Sequence, residues 1–270
     1  MFRVSALAAL SLLCCIVASP QAQAPRRKRL LAIGEVKGFQ HDSVSHGLAT
    51  IERLGYESGA FDTYIRTDSQ LITKKKIAAG NAKNLDQFDG VLFFTTGELD
   101  LDEEQKAALI SFVKDDGKAF FATHTGTDTY YQWPEYGEMV GGYFDGHPWH
   151  QEVKVKVEDP SFPGMKYFGN SFTVANDEIY QLKNFSRDKV RVLMSLDTSS
   201  VDMTKKGIKR TDGDFAIAWA RNYGKGRVFS CTLGHEPAVW DRKDFQSMWL
   251  DAIKWGFGEL PGDATPRPKP

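Results

Sequence analysis

The 270-residue sequence predicts an α/β protein, with a mostly parallel sheet flanked by helices and a strand-rich C-terminal half. Three observations lead there. Short runs of consecutive apolar residues, at 30–33, 91–94 and 119–122, have the length and composition of strands buried on both faces. The segments between them carry apolar residues at helical spacing, and alternation of strand with helix marks a parallel sheet. After residue 150 the pattern shifts to period two, with Val153, Val155 and Val157 set between charged residues.

The elements follow in order. Arg3 precedes an uncharged run from Val4 to Ala18 that is too short and too alanine-rich for a membrane span. Ala22-Gln23-Ala24 supplies a small-x-small cleavage pattern. Residues 1–24 therefore read as a secretory signal peptide, which makes the protein exported, periplasmic or extracellular. Pro25 and the basic run from Arg26 to Arg29 leave an uncleaved anchor as the alternative. Leu30 to Ile33 is the first strand. Asp42 or Ser43 can cap a helix whose apolar face is Val44, Leu48, Ile51 and Leu54, with Gly55 as its stop. A second strand is expected over 57–64, then a lysine-bearing solvated connection, then the strand Val91 to Phe94. Asp102, Glu103 and Glu104 favour the positive end of the next helix, whose stripe is Leu101, Ala108, Leu109, Phe112 and Val113. Ala119 to Ala122 is the next strand. Further strands are expected at 152–157, 172–175, 190–196, 215–221 and 227–232, the last two joined by a turn at 222–226. An amphipathic helix carries Phe245, Met248, Trp249, Ala252 and Ile253. One domain over 25–258 accounts for these elements, and the four prolines in residues 259–270 predict a disordered tail.

The formal net charge is −1, and removal of the leader takes away one basic residue and no acid, so no basic excess points to nucleic acid. Hydrophobic residues make up 41%, enough for a core of ordinary size. Beyond the leader only Cys231 remains, which excludes an internal disulfide; inside an apolar run it reads as a small buried hydrophobe.

In open parallel sheets, ligands bind beyond the carboxyl ends of the strands. Five of the six histidines, His41, His124, His147, His150 and His235, fall at expected strand ends or in loops; His46 falls inside the first helix. The segment Gly141 to His150 holds two of them, His147 and His150, which are candidate ligands for a divalent transition metal such as zinc. A third ligand would come from His41, His124, His235 or Glu178. Asp177-Glu178 follows an expected strand, where one carboxylate can face a pocket while the other binds backbone. His235-Glu236 could be a general base and its orienter. Asp128, beside His124, falls at the same edge. Aromatic residues, 12% of the chain, pack cores and also stack on sugar rings; Phe144 and Trp149 are the candidates for stacking.

Five blocks in order resemble the trehalose-utilisation (ThuA-like) family. They are Gly38-Phe39-Gln40-His41, Ala122-Thr123-His124-Thr125-Gly126, Gly141 to Pro148, Asp177 to Tyr180, and Tyr223 to Phe229 running into Leu233-Gly234-His235. The resemblance implies the fold of class I glutamine amidotransferases, a flavodoxin-like sheet. Those enzymes carry a cysteine where this sequence has His124, so glutaminase chemistry through a thioester is not expected. The resemblance also implies disaccharide use beside a sugar dehydrogenase that forms 3-keto glycosides. On that reading His124, His235 and Glu178 are the acid–base set of a lyase or hydrolase, and His41, Asp128, Phe144 and Trp149 hold the sugar. A non-catalytic sugar- or partner-binding module and a metal-dependent hydrolase are the alternatives.

Overall fold

The computed structural model describes residues 26–78, 80 and 83–269. The signal peptide expected at 1–24 lies outside them. No helix among the described residues is long and apolar enough to cross a membrane.

The first half lays down strands β1 (Lys28–Ile33), β2 (Phe61–Arg66), β3 (Gly90–Phe93) and β4 (Ala119–Thr123), all mutually parallel where they pair. Helices α1 (Ser43–Ser58), α2 (Glu103–Lys114) and α3 (Pro134–Val140) intervene or follow. The second half adds β5 (Tyr143–Phe144), β6 (Trp149–Val157), β7 (Ser171–Ile179), β8 (Leu182–Lys183), β9 (Arg191–Leu196), β10 (Ala216–Tyr223) and β11 (Gly226–Cys231). Helices α4 (Pro237–Asp241) and α5 (Lys243–Gly256) close the sequence of elements. Among the described residues, nine strands form one sheet in the order β2-β1-β3-β4-β11-β10-β9-β6-β7, and β5 pairs with β8 separately. The sheet is parallel from β2 to β11, where β11 pairs with β4, and antiparallel from β11 to β7.

Successive side chains of a strand point to opposite faces, and the core divides accordingly. Leu30, Ala32, Leu92 and Phe121 join one apolar cluster with Leu48, Ile51, Trp240, Trp249 and Ile253, beneath α1, α4 and α5. Leu31, Ile33, Val91, Phe93 and Phe120 join the other, beneath α2 and α3, with Leu109, Phe112, Tyr136 and Val140. Burial on both faces explains why the parallel strands read as unbroken apolar runs.

Several boundaries differ from expectation. Helix α1 runs past Gly55 to Ser58 and is capped by Gly59 in a left-handed conformation at φ 67°. Gly55 is needed for contact, since a Cβ there would stand 2.5 Å from the Phe61 ring. β2 consequently starts at Phe61, not Glu57. Asp42 makes no side-chain cap to α1. Asp102 does cap α2: its carboxylate accepts from Gln105 N at 2.8 Å while Gln105 Oε1 accepts from Asp102 N at 3.1 Å. β7 extends through Asp177 and Glu178, which therefore lie within a strand and not after one. Residues 259–269 of the expected tail lie against the body. Trp255 Nε1 donates to the Gly262 carbonyl at 3.0 Å, Arg191 pairs with Asp263 at 3.0 Å, and Ala264 is buried. Its prolines deny it helix and sheet, and it docks through single side chains and carbonyls instead.

Candidate functional site

Three of the parallel strands each deliver a histidine beyond their carboxyl ends. His41 lies in the loop after β1, His124 directly follows β4, and His235 follows β11 after three residues. Glu178, near the end of β7, joins them. The ligand atoms of His41, His124, His235 and Glu178 all lie within 4.8 Å of one another.

His124 sits where the backbone turns sharply from β4 into a short 3-10 segment, His124–Thr127. Its φ is +41°, a left-handed value that costs a residue with a Cβ about 1–3 kcal/mol. The turn is held by its surroundings. Gly126 passes so close to β4 that a Cβ there would meet the Ala122 Cβ at 2.8 Å. His124 Nδ1 lies 2.7 Å from the Thr232 carbonyl, which can only accept, so this nitrogen carries the proton. The Tyr180 hydroxyl, 3.0 Å from Nε2, then donates to the remaining lone pair. Burial presses the His124 pKa down to about 3, so the ring is neutral at neutral pH.

Glu178 is the charged centre of the site. Its carboxylate lies 3.1 Å from His235 Nδ1, 3.4 Å from His147 Nε2 and 3.7 Å from His124 Nε2. Burial opposes its charge, but His235, His124 and His147 together outweigh burial and hold its pKa below the ordinary glutamate value. Glu178 in turn raises the pKa of His235. Burial, followed by the neighbouring His235, lowers that of His41. The His41 ring stands edge-on to both His124 and His235, with ring centroids 4.9 Å apart in each pair.

The neighbouring carboxylate has a different task. Asp177 is fully buried and accepts from the backbone N–H groups of Gly234 at 2.7 Å, His235 at 2.9 Å, Glu236 at 3.3 Å and Glu178 at 3.0 Å. It fastens the His235 loop to β7. Burial pushes its pKa up to about 7 against the opposing pull of these donors.

The expected pairing of His235 with Glu236 is not formed. Glu236 accepts from His150 Nε2 at 2.8 Å and from Asn176 Nδ2 at 3.1 Å, while Glu178 partners His235. His147 and His150, expected as two ligands of one metal, are parted, with His147 beside Glu178 and His150 beside Glu236. His150 stacks edge-on against His235 at 4.9 Å, so both remain at the rim of the cluster. Asp128 lies near it, hydrogen-bonded to the Tyr131 hydroxyl, with its pKa raised by burial. Phe144 is half-buried, its ring 4.4 Å from Tyr180 and 5.9 Å from His147, and it borders an open cleft also lined by Tyr131, Lys183 and Lys209. Trp149 does not face the site. It is wholly buried against Phe215, and its indole N–H donates to the Asp202 carbonyl at 3.1 Å. Adjacent strand residues point to opposite faces, so a rim position for His150 places Trp149 in the core. Tyr180 and the Thr232 carbonyl escaped the sequence reading. The spacing of Glu178 and Tyr180, two residues apart on one side of an extended chain, is the signal that would have found the tyrosine.

A strained, non-glycine turn after a central parallel strand and a partner loop after the neighbouring strand define an α/β protein whose sharp turn carries a histidine and no thiol. Cys231, the one cysteine among the described residues, is buried inside β11 with its pKa pushed up to about 12. The chain belongs to the trehalose-utilisation (ThuA) family, whose model matches residues 29–256. Its fold is similar to that of a ThuA-like protein from Bacteroides uniformis, with a TM-score of 0.69 at 22% identity over 88% of this chain and 95% of that one. A ThuA-like protein from Parabacteroides merdae gives 0.65 at 16% identity over 90% and 98% of the two chains. A cytoplasmic protein from Salmonella typhimurium gives 0.56 at 12% identity over 84% and 99%. No curated protein matches the sequence.

Proposed function

We propose that this chain is an exported carbohydrate-acting enzyme that removes a proton from an oxidised sugar, with a 3-keto glycoside as the substrate class. The observation that carries the reading is the convergence of Glu178 with His41, His124 and His235 at the carboxyl edge of the parallel strands, within a family described by trehalose utilisation. The open cleft beside Phe144 offers an aromatic face with hydrogen-bonding groups around it, which suits a sugar ring.

The chemistry divides between an inner and an outer set. A 3-keto group acidifies the hydrogen at C2, and its removal leaves an enolate. Glu178 raises the His235 pKa, so the inner set favours positive charge beside the enolate oxygen. At the rim, Glu236 takes the Nε2–H of His150 and leaves the Nδ1 lone pair free, the arrangement of a general base and its orienter. His150 takes the C2 proton. The electron pair then forms the C1–C2 double bond, the C1–oxygen bond breaks, and the departing oxygen is protonated from His147. A dehydrogenase acting on the glycoside would supply the substrate.

The test is exchange of the C2 hydrogen with deuterated water, followed by NMR, together with release of the aglycone. Exchange by the wild type, reduced about 10²–10⁴-fold in His150→Ala, is the expected result. Tight binding of keto glycosides with neither exchange nor release would make the chain a sugar-binding module instead.

A further inference from the structure

We infer that His41, His124, His235 and Glu178 are the donor set of a site for one divalent transition cation of the zinc class. The inference deepens the reading above, since a cation here would place its positive charge in the inner set, where a substrate oxygen would approach it as a fifth ligand. Its occupancy is nevertheless tested without any sugar.

The geometry carries the assignment. Three imidazole nitrogens and one carboxylate are the mixed nitrogen–oxygen donor set that zinc takes in four-coordinate sites. Donors bonded at about 2.0–2.1 Å to a tetrahedral ion stand about 3.4 Å from one another. Glu178 Oε2 already lies 3.1 Å from His235 Nδ1 and 3.7 Å from His124 Nε2, which brackets that separation.

Two of the rings also have nitrogens without partners. His41 Nδ1 and His235 Nδ1 are buried without a well-aligned hydrogen bond, although the Phe39 backbone lies beside the His41 ring and Glu178 beside His235. Buried polar atoms are rarely left so, and two in one cluster point to a missing partner that accepts lone pairs.

The outer contacts are those of metal-bound histidine. The Thr232 carbonyl takes the Nδ1–H of His124 and so aims Nε2 inward. Asp177 clamps the backbone of His235 through its N–H. Only the Tyr180 hydroxyl must turn aside from His124 Nε2 for a cation to take that lone pair. The second group of donors, His150, His235 and Glu236, is less suited, because His150 and Glu236 already satisfy each other at 2.8 Å.

The experiment is a titration of chelator-stripped full-length protein with Co²⁺, read by visible absorption and by elemental analysis after gel filtration. One equivalent should bind and give the intense absorption of a four-coordinate centre, and Zn²⁺ should displace it. His41→Gln and His235→Gln should each weaken binding more than the about 10–100-fold that loss of an outer-shell partner costs. His46→Gln, which removes a ring paired with Asp241 on the outside of α1, should leave binding unchanged. Circular dichroism and the melting temperature in chelator show that each variant is folded. Absence of binding by the stripped wild type, or binding that survives in folded His41→Gln and His235→Gln, overturns the site. One bound equivalent without keto-glycoside turnover would leave the site standing and overturn the proposed activity alone.

Discussion

At the scale of single residues, Asp177 and Glu178 are the same chemistry put to opposite uses by strand alternation. One turns inward to four backbone donors and the other faces the histidines. Asp177→Ala leaves those donors unsatisfied in the interior and should cost about 2–4 kcal/mol in chemical denaturation. Glu178→Gln should cost less but change the site. In chelator-treated protein the His235 pKa, followed by NMR, should fall, because its chief raising partner is gone. For the wild type the sign is fixed by that raised value: the contribution of His235 to stability is complete below its unfolded pKa and is lost as the pH rises through the folded one. The sequence disclosed that five histidines fall near strand ends or in loops and that an adjacent acid pair could divide its labour. It did not disclose partners, because whether Glu236 meets His150 or His235 depends on which strands become neighbours, and that is a property of the sheet.

Among the elements, α1 shows how one residue type carries two messages. Glycine at a helix end and glycine under a neighbouring ring look alike in sequence, which is why Gly55 read as a stop. Gly47 is the more consequential case. A Cβ there would stand 2.7 Å from the Trp240 ring, whose indole N–H donates to the Gly234 carbonyl at 3.1 Å. Gly47→Ala should therefore destabilise by about 1–3 kcal/mol through overpacking and also displace the loop that bears His235. Gly55→Ala presses on Phe61 instead and should show the stability loss in thermal melts without a change in the chemical shifts of the histidine cluster. The parallel strands were legible because two-sided burial writes itself as unbroken apolar runs. The end of β7 was not, because its buried acids are satisfied by a loop some 57 residues later in the chain.

For the molecule as a whole, the sheet has two poles. The carboxyl pole carries the site, and the amino pole is knotted around Asp89, which accepts from Arg29 N at 3.0 Å and pairs with Arg26, Lys28 and Lys118. Burial resists the charge of Asp89, but these partners outweigh it and depress its pKa. A depressed carboxyl contributes stability that is present above its unfolded pKa and lost as the pH falls through the folded value. Asp89→Asn should thus lower stability at neutral pH and flatten the loss of stability seen below about pH 4 in acid titrations. Truncation after Gly258 should also destabilise, since it removes the Gly262 acceptor of Trp255, the Asp263 partner of Arg191 and buried Ala264. A melting temperature equal to that of the full chain would show the tail to be ornamental. The fold class was legible in the alternation of strand and helix. The docking of the tail was not, because it depends on isolated contacts and leaves no periodic trace.

The position of β11 has a consequence for the order of events during synthesis. This strand is the last of the eleven described strands to leave the ribosome, yet it lies between β4 and β10 and joins the parallel half of the sheet to the antiparallel half. Until it emerges, both neighbours present bare edges, and β4 is apolar on each side. The nascent halves therefore have no shared strand through which to dock, and assembly waits on the final stretch of the chain. Translation that stops before residue 226 would release two incomplete sheets with sticky rims, and the His235 loop that completes the histidine cluster arrives in the same late instalment that closes the sheet.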